Sequence, residues 1–196
     1  MSVLRLRLER RVRPMAGLSS CGDAVVEAQA PGWHFIAVID ALGHGPDAEE
    51  SARAAEVAIR ASAGQALETV FDAVHRSLVR RRGVVMAGVL AQAASFSFAG
   101  VGNVEIFTPP DVNRPVSMTG TLGGAAYRFR AFDLPLRHGQ RWVLASDGIN
   151  ARAAVALITQ LGRKPAVAVA DALMKDAGRE TDDASLVVID VEGAAS

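Results

Sequence analysis

The chain has 196 residues, half of them hydrophobic in type, and its 21 Lys and Arg balance 21 Asp and Glu to a formal net charge of zero. That is enough for one compact domain spanning 1–196 and too little for two comfortable ones. The balance excludes an overall electrostatic footprint for DNA, RNA or an anionic membrane, and the lone Cys21 excludes a disulfide framework and a cysteine-based zinc site.

In chain order, "MSVLRLRLERRVRP" sets Leu4, Leu6 and Leu8 against Arg5 and Arg7, an alternation that predicts an opening strand near residues 3–9. The arginines also break the apolar run a signal peptide needs, and the later alanine-rich stretches are too interrupted for a membrane span. A soluble, cytoplasmic protein is expected, in line with a single unpaired cysteine. Further strands are predicted near 23–29 and 33–40, followed by helices near 46–62 and 65–81. Then come the runs "VVMAGVLAQ", "SFSFAGVG" and "VEIFTP", a Pro-containing loop near 109–120, and two strands in "AAYRFRAF" and "QRWVLASD". Residues 151–178 read as helix with a break at Gly162 to Pro165, and "ASLVVIDV" closes the chain as a buried strand.

Strands cluster in runs and helices come in pairs, so the pattern predicts an α+β fold, mainly antiparallel, rather than βαβ alternation. Two sheets packed face to face, each covered by a helix pair, satisfy both features. No linker, low-complexity tract or internal repeat interrupts the chain.

Three acidic loop positions stand out. "FIAVIDALGHGPDAEE" carries an apolar strand into Asp40, turns through Gly43 and Gly45, and enters a helix at Pro46. "WVLASDGIN" runs a second apolar strand into Asp147 and Gly148, and "ETDDASLVVID" places Asp182 and Asp183 just before a third. Each has a bland reading alone, since Asp and Gly dominate turns. If the strands are neighbours, however, the carboxylates converge at one rim, repel, and raise each other's pKa unless a cation intervenes. Mg²⁺ or Mn²⁺ fits, because hard divalent ions prefer carboxylate, carbonyl and water oxygens.

The D-x-x-G-H-G of Asp40 to Gly45, the S-D-G of Ser146 to Gly148 and the D-D-A-S-L-V-V-I of Asp182 to Ile189 resemble the metal-dependent protein phosphatases (PPM, or type 2C). The likeness is greatest to the compact SpoIIE/RsbU/RsbX branch: "CGD" at 21–23 is similar to its early Gly-Asp element, and "GVGNV" at 100–104 and "TLGG" at 121–124 look like the RsbX type. The resemblance covers essentially the whole chain and implies an αββα sandwich, a bare catalytic domain with two Mn²⁺ or Mg²⁺ ions at one end of the sheets. Asp40 would bridge the metals, Ala41 would offer its backbone carbonyl, Asp147 and Asp182 would complete the second ion's set, and Asp23 would support it directly or through water. Asp40, Asp147 and Asp182 would thus carry catalysis, with Asp183, Gly43 and Gly148 behind them and His44 as a candidate general acid. The implied reaction is phosphoserine or phosphothreonine hydrolysis by a water or hydroxide held between the ions. The implied substrates are phosphorylated STAS-domain proteins (RsbS/RsbR-like) of a stress-signalling assembly, the stressosome, engaged at a shallow, open site.

Two departures matter. Ala41 stands where the family usually has glycine, which is harmless only if that position does not need positive φ. A phosphate-binding arginine does not carry over: Arg10, Arg11 and Arg13 lie near the right part of the chain but read equally as a solvated face. Two other readings stay open, a non-catalytic binding module on the same fold and a dinucleotide-binding domain. The second rests on "GHGPDA", which fits G-x-G-x-x-A but lacks the parallel strand and later acid of that motif. No P-loop sequence occurs.

Overall fold

A computed structural model describes residues 5–92 and 95–192; Val3 and Leu4 of the predicted opening strand lie outside them. Nine strands and four helices follow in order: β1 (Arg5–Arg13), β2 (Asp23–Ala30), β3 (Trp33–Ala41), α1 (Pro46–Ser62), α2 (Leu67–Ser77), β4 (Val84–Gln92), β5 (Ser95–Val101), β6 (Glu105–Phe107), β7 (Ala131–Pro135), β8 (Arg141–Ala145), α3 (Ala151–Leu161), α4 (Ala166–Asp176) and β9 (Ala184–Glu192). They build a four-stranded sheet, β1-β9-β8-β6, and a five-stranded sheet, β2-β3-β4-β5-β7. Every strand pairing is antiparallel.

The central strands are apolar throughout because both of their faces are covered. In β3, Phe35, Ala37 and Ile39 point to the α1/α2 layer, while Ile36 and Val38 point between the sheets. β9 divides likewise: Val187, Ile189 and Val191 enter the inter-sheet core with Trp142 and Leu144, and Leu186 and Val188 face α3 and α4. Strict period-two alternation thus serves two cores from one strand. Helix α1 buries Ala48, Ala52, Ala55 and Ile59, a stripe of mostly small residues, whereas α2 inserts Phe71, which is worth about 1.5–3 kcal/mol as a buried side chain. The result is helix pair, sheet, sheet, helix pair, as the sequence led us to expect.

Two element assignments need correction. Helix α2 stops at Ser77 instead of reaching 81, because Arg80 takes φ +68° and turns the chain toward β4. The segment 125–130 of "AAYRFRAF" is not a strand, and β7 begins only at Ala131. The alternation there serves a crossing segment instead: Tyr127 and Phe129 lie against α2, with Phe129 edge-on to Phe71 at 5.4 Å and Tyr127 5.1 Å from His75. A loop laid over a helix pair buries every second residue just as a strand does. The dinucleotide reading also fails, since β3 and β4 are antiparallel neighbours across the helix pair. Among the described residues no helix is long and apolar enough to cross a membrane.

Candidate metal centre

Antiparallel register brings the predicted acids to one end of the sandwich. Asp23 opens β2 directly opposite Asp40 near the end of β3. On the other sheet the end of β8 meets the start of β9, with Ala145 opposite Leu186 and Ser146 N–H bonded to Ser185 O at 2.9 Å. Asp147 and Asp182 are therefore carried on adjacent loops of the same rim.

Asp183 ties the two sheets together there. Its Oδ1 accepts the N–H of Met15 and its Oδ2 the N–H of Gly22, both at 2.7 Å; Gly22 O in turn accepts Ala41 N–H at 3.0 Å. Gly22 has no room for a side chain, since a Cβ would lie 2.9 Å from Ala48 Cβ and 3.2 Å from Asp183 Oδ2. Asp183→Ala should leave both donors without their charged acceptor and cost about 3–5 kcal/mol. Chemical denaturation checks this, and Asp183→Asn should lose roughly half as much because it keeps one acceptor.

The carboxylates act on one another. Burial pushes the Asp23 carboxyl up to about 7, with Asp183 and Asp147 adding to the rise. Burial likewise raises Asp40, to about 8, helped by the charges of Asp23, Asp147 and Asp182. Asp182 is raised by burial and then by Asp147, with Arg179 pulling the other way. The hydroxyls of Ser146 and Ser185 soften the effect at Asp23, yet Asp23 Oδ2 and Ser185 Oγ are both buried without a hydrogen-bond partner that meets normal geometry.

No three His, Cys, Asp or Glu side chains among the described residues are already drawn into a closed ligand set. The donors nevertheless suit a hard divalent cation. They are carboxylates of like charge held within electrostatic reach, and one of them, Asp23, is only 5% exposed and presents an orphaned oxygen. A cation there would supply both the missing partner and the missing countercharge.

Ala41 is the last residue of β3 and 1% exposed, its methyl packed in the α1/α2 core. Among the described residues the only non-glycine with positive φ is Arg80, so alanine at this position carries no backbone strain. Gly43 does favour its glycine, because its φ of +82° lies in the left-handed region that side chains rarely adopt. Gly148 packs directly on the backbone of Asp183. His44 stands exposed in the turn, with no hydrogen bond or ion pair among the described residues. Burial pushes the Cys21 thiol up to about 12, so at neutral pH it is not a thiolate nucleophile.

Sequence reasoning missed Asn103, whose Nδ2 donates to Asp147 Oδ2 at 2.6 Å and so orients that carboxylate. Its only local signal is the G-x-G-N turn, where Gly102 (φ +91°) lies against Val85. The basic run is committed elsewhere. Arg10 pairs with Glu27 at 3.9 Å and Arg11 with Asp171 at 2.7 Å. Arg13 donates to Met174 O and Arg179 O.

No family model matches the chain. It is 26% identical over 140 residues, 68% of this chain and 70% of the relative, to the phosphoserine phosphatase RsbX of Bacillus subtilis (strain 168). A solved chain from work on the bacterial stressosome as a modular system adapted to control secondary messenger signalling superposes with a TM-score of 0.86 at 28% identity. The match covers 94% of this chain and 99% of that one. RsbX in complex with magnesium gives 0.86 at 18% identity, over 98% and 100% of the two chains. The catalytic domain of the serine/threonine protein phosphatase PstP with two manganese ions gives 0.77 at 17%, over 97% and 100%. These likenesses bear out the αββα fold of the type 2C phosphatases and the resemblance to their RsbX-like branch.

Proposed function

We infer that this chain, a PPM-family protein of the RsbX-like branch, is a metal-dependent serine/threonine phosphoprotein phosphatase acting on phosphorylated STAS-domain proteins of a stressosome. The observation that carries the reading is the buried, unpartnered Asp23 Oδ2 beside Asp40, Asp147 and Asp182, all gathered at one end of the fold. The sequence likeness to the phosphoserine phosphatase RsbX and the fold shared with PstP support the activity. The likeness to a chain studied in a bacterial stressosome supports the partner class.

In this reading Asp23, Asp40, the Ala41 carbonyl, Asp147 and Asp182 hold two Mn²⁺ or Mg²⁺ ions, and 1–196 works as one catalytic domain. When bound, such ions supply Lewis-acid polarisation of the phosphoryl group and activate water for in-line attack at neutral pH. The chain's own part is placement. Asn103 holds Asp147 in one orientation, Asp183 locks the Gly22–Ala41 backbone that carries Asp23 and Asp40, and the contact of Gly148 with Asp183 sets the two acidic loops side by side. Ala41 gives no support to a non-catalytic module, since alanine sits there without strain. A cytoplasmic setting accords with the free Cys21.

The test is hydrolysis of a phosphoserine peptide and of a phosphorylated STAS-domain protein, with Mn²⁺ and with chelator. Metal-dependent release of phosphate from both, faster on the folded protein, is expected. Metal binding without turnover on either substrate would overturn the catalytic reading, and equal turnover on both would overturn the partner class.

A further inference from the structure

The carboxylates of Asp23, Asp40, Asp147 and Asp182 would roughly cancel the charge of two divalent ions, so a phosphomonoester dianion gains from further positive charge at the rim. Arg10, Arg11 and Arg13 of β1 are already engaged. Arg82 is also held: its Nη1 donates to Leu42 O at 3.3 Å and its Nη2 to Asp47 at 3.1 Å.

Arg179 differs in both respects. Its backbone is clamped on each side at the acidic rim: its N–H donates to Gly148 O at 2.8 Å, next to Asp147, and its carbonyl accepts Arg13 Nη2 at 2.7 Å. The bridge between Ile149 and Gly178 secures the same crossing. Its side chain is exposed and makes no hydrogen bond or ion pair among the described residues. Asp182, three residues on, already feels its charge. An exposed, unpaired guanidinium on a backbone fixed to Gly148 O, just ahead of Asp182 in the chain, offers a planar fork of donors that matches two phosphoryl oxygens.

We propose that Arg179 grips the phosphoryl group of the substrate, binding its oxygens bidentately from the edge of the acidic cluster. This rests on the phosphatase reading and adds a residue that neither the motifs nor the arginine run pointed to. Since the phosphoryl group is common to every substrate, Arg179 would set affinity for phosphate itself and leave the choice of protein partner to other surfaces.

The experiment uses the full chain loaded with Mn²⁺ and inorganic phosphate as the probe, read by calorimetry and as product inhibition of phosphopeptide hydrolysis. Arg179→Ala should weaken phosphate binding and raise KM by about 10- to 100-fold. Arg179→Lys should recover only part of this, and Arg82→Ala should bind phosphate like the wild type. Tm should be unchanged in all three variants, and Mn²⁺ affinity should not fall in any of them. Unaltered phosphate affinity in Arg179→Ala, a loss that falls on Arg82→Ala instead, or a parallel loss of Mn²⁺ affinity would each overturn the proposal. A wild-type chain that turns over phosphopeptide while Arg179→Ala keeps its phosphate affinity sinks this inference alone. A wild type that neither binds Mn²⁺ nor turns over sinks the phosphatase reading with it.

Discussion

Asp40→Asn should abolish Mn²⁺-dependent hydrolysis, by about 10³-fold or more, and at the same time make the metal-free protein more stable at pH 8. The two effects have one cause. Asp40 is half-buried, and that burial, helped by the charges of Asp23, Asp147 and Asp182, raises its carboxyl to about 8. A carboxyl whose pKa is higher folded than unfolded contributes stability that is complete below the unfolded value near 4 and is lost as pH rises through the folded value. Asp23, raised to about 7, behaves in the same way. Metal-free wild type should therefore lose stability between about pH 4 and pH 8 on account of these groups. The neutral, isosteric Asn removes the repulsion, for a gain of about 1–2 kcal/mol, or roughly 3–6 °C in Tm, at pH 8 that fades toward pH 5. Mn²⁺ should reverse the ranking, raising the Tm of the wild type more at pH 8 than at pH 6 and that of the variant little. Thermal melts at three pH values with and without Mn²⁺ decide it; a variant no more stable than wild type at pH 8 would show that the carboxylates do not strain the metal-free fold.

Gly148→Ala should be the most damaging single methyl added to this chain, at a cost of about 3 kcal/mol or more together with loss of Mn²⁺ affinity. A Cβ there would sit 2.0 Å from Asp183 O and 2.8 Å from Ala184 Cα, both backbone atoms at the head of β9. No rotamer change relieves such a clash, so the loop after β8 must move away from the loop before β9. That movement separates Asp147 from Asp182. Denaturation curves and Mn²⁺ titration report the two consequences separately. A variant with wild-type stability and metal affinity would mean that the two loops do not pack as described. Gly139→Ala is the fitting control: nothing lies within 4 Å of a Cβ at that position, and only the strain of φ +82° remains.

The same glycine shows where sequence reading stops. An Asp-Gly pair after an apolar strand looks like turn chemistry, and the Gly148 turn is indeed a turn, yet what demands glycine is the distant backbone of Asp183 and Ala184 at the head of β9. The acids themselves were legible. Asp40, Asp147 and Asp182 each break off or precede a run of buried aliphatic residues, and a charge at the end of such a run is visible locally. The layer order was legible too, because alternation in β3 and β9 and helical spacing in α1 are short-range patterns. Residues 125–130 misled because Tyr127 and Phe129 bury every second side chain against α2 without pairing in a sheet, and periodicity records burial, not hydrogen bonding. Asn103 and Arg179 left no such mark because both lie in loops, and the engagement of Arg13 rests on the carbonyls of Met174 and Arg179 from distant parts of the chain.

What the sequence determined by itself was therefore most of the strands and helices, the antiparallel α+β class and the acids at the strand ends, since each follows from spacings of two to four residues. What only the tertiary structure decided was which of those ends meet. The Asp183 bond to Gly22 N–H joins groups 161 positions apart, and the arginines acquire or lose their freedom through neighbours on other elements. Stacking two twisted sheets brings the β2/β3 and β8/β9 ends to one rim. Local spacing carries no information about that contact, because it is set by how the inter-sheet core packs around Trp142, Phe96 and Ile189.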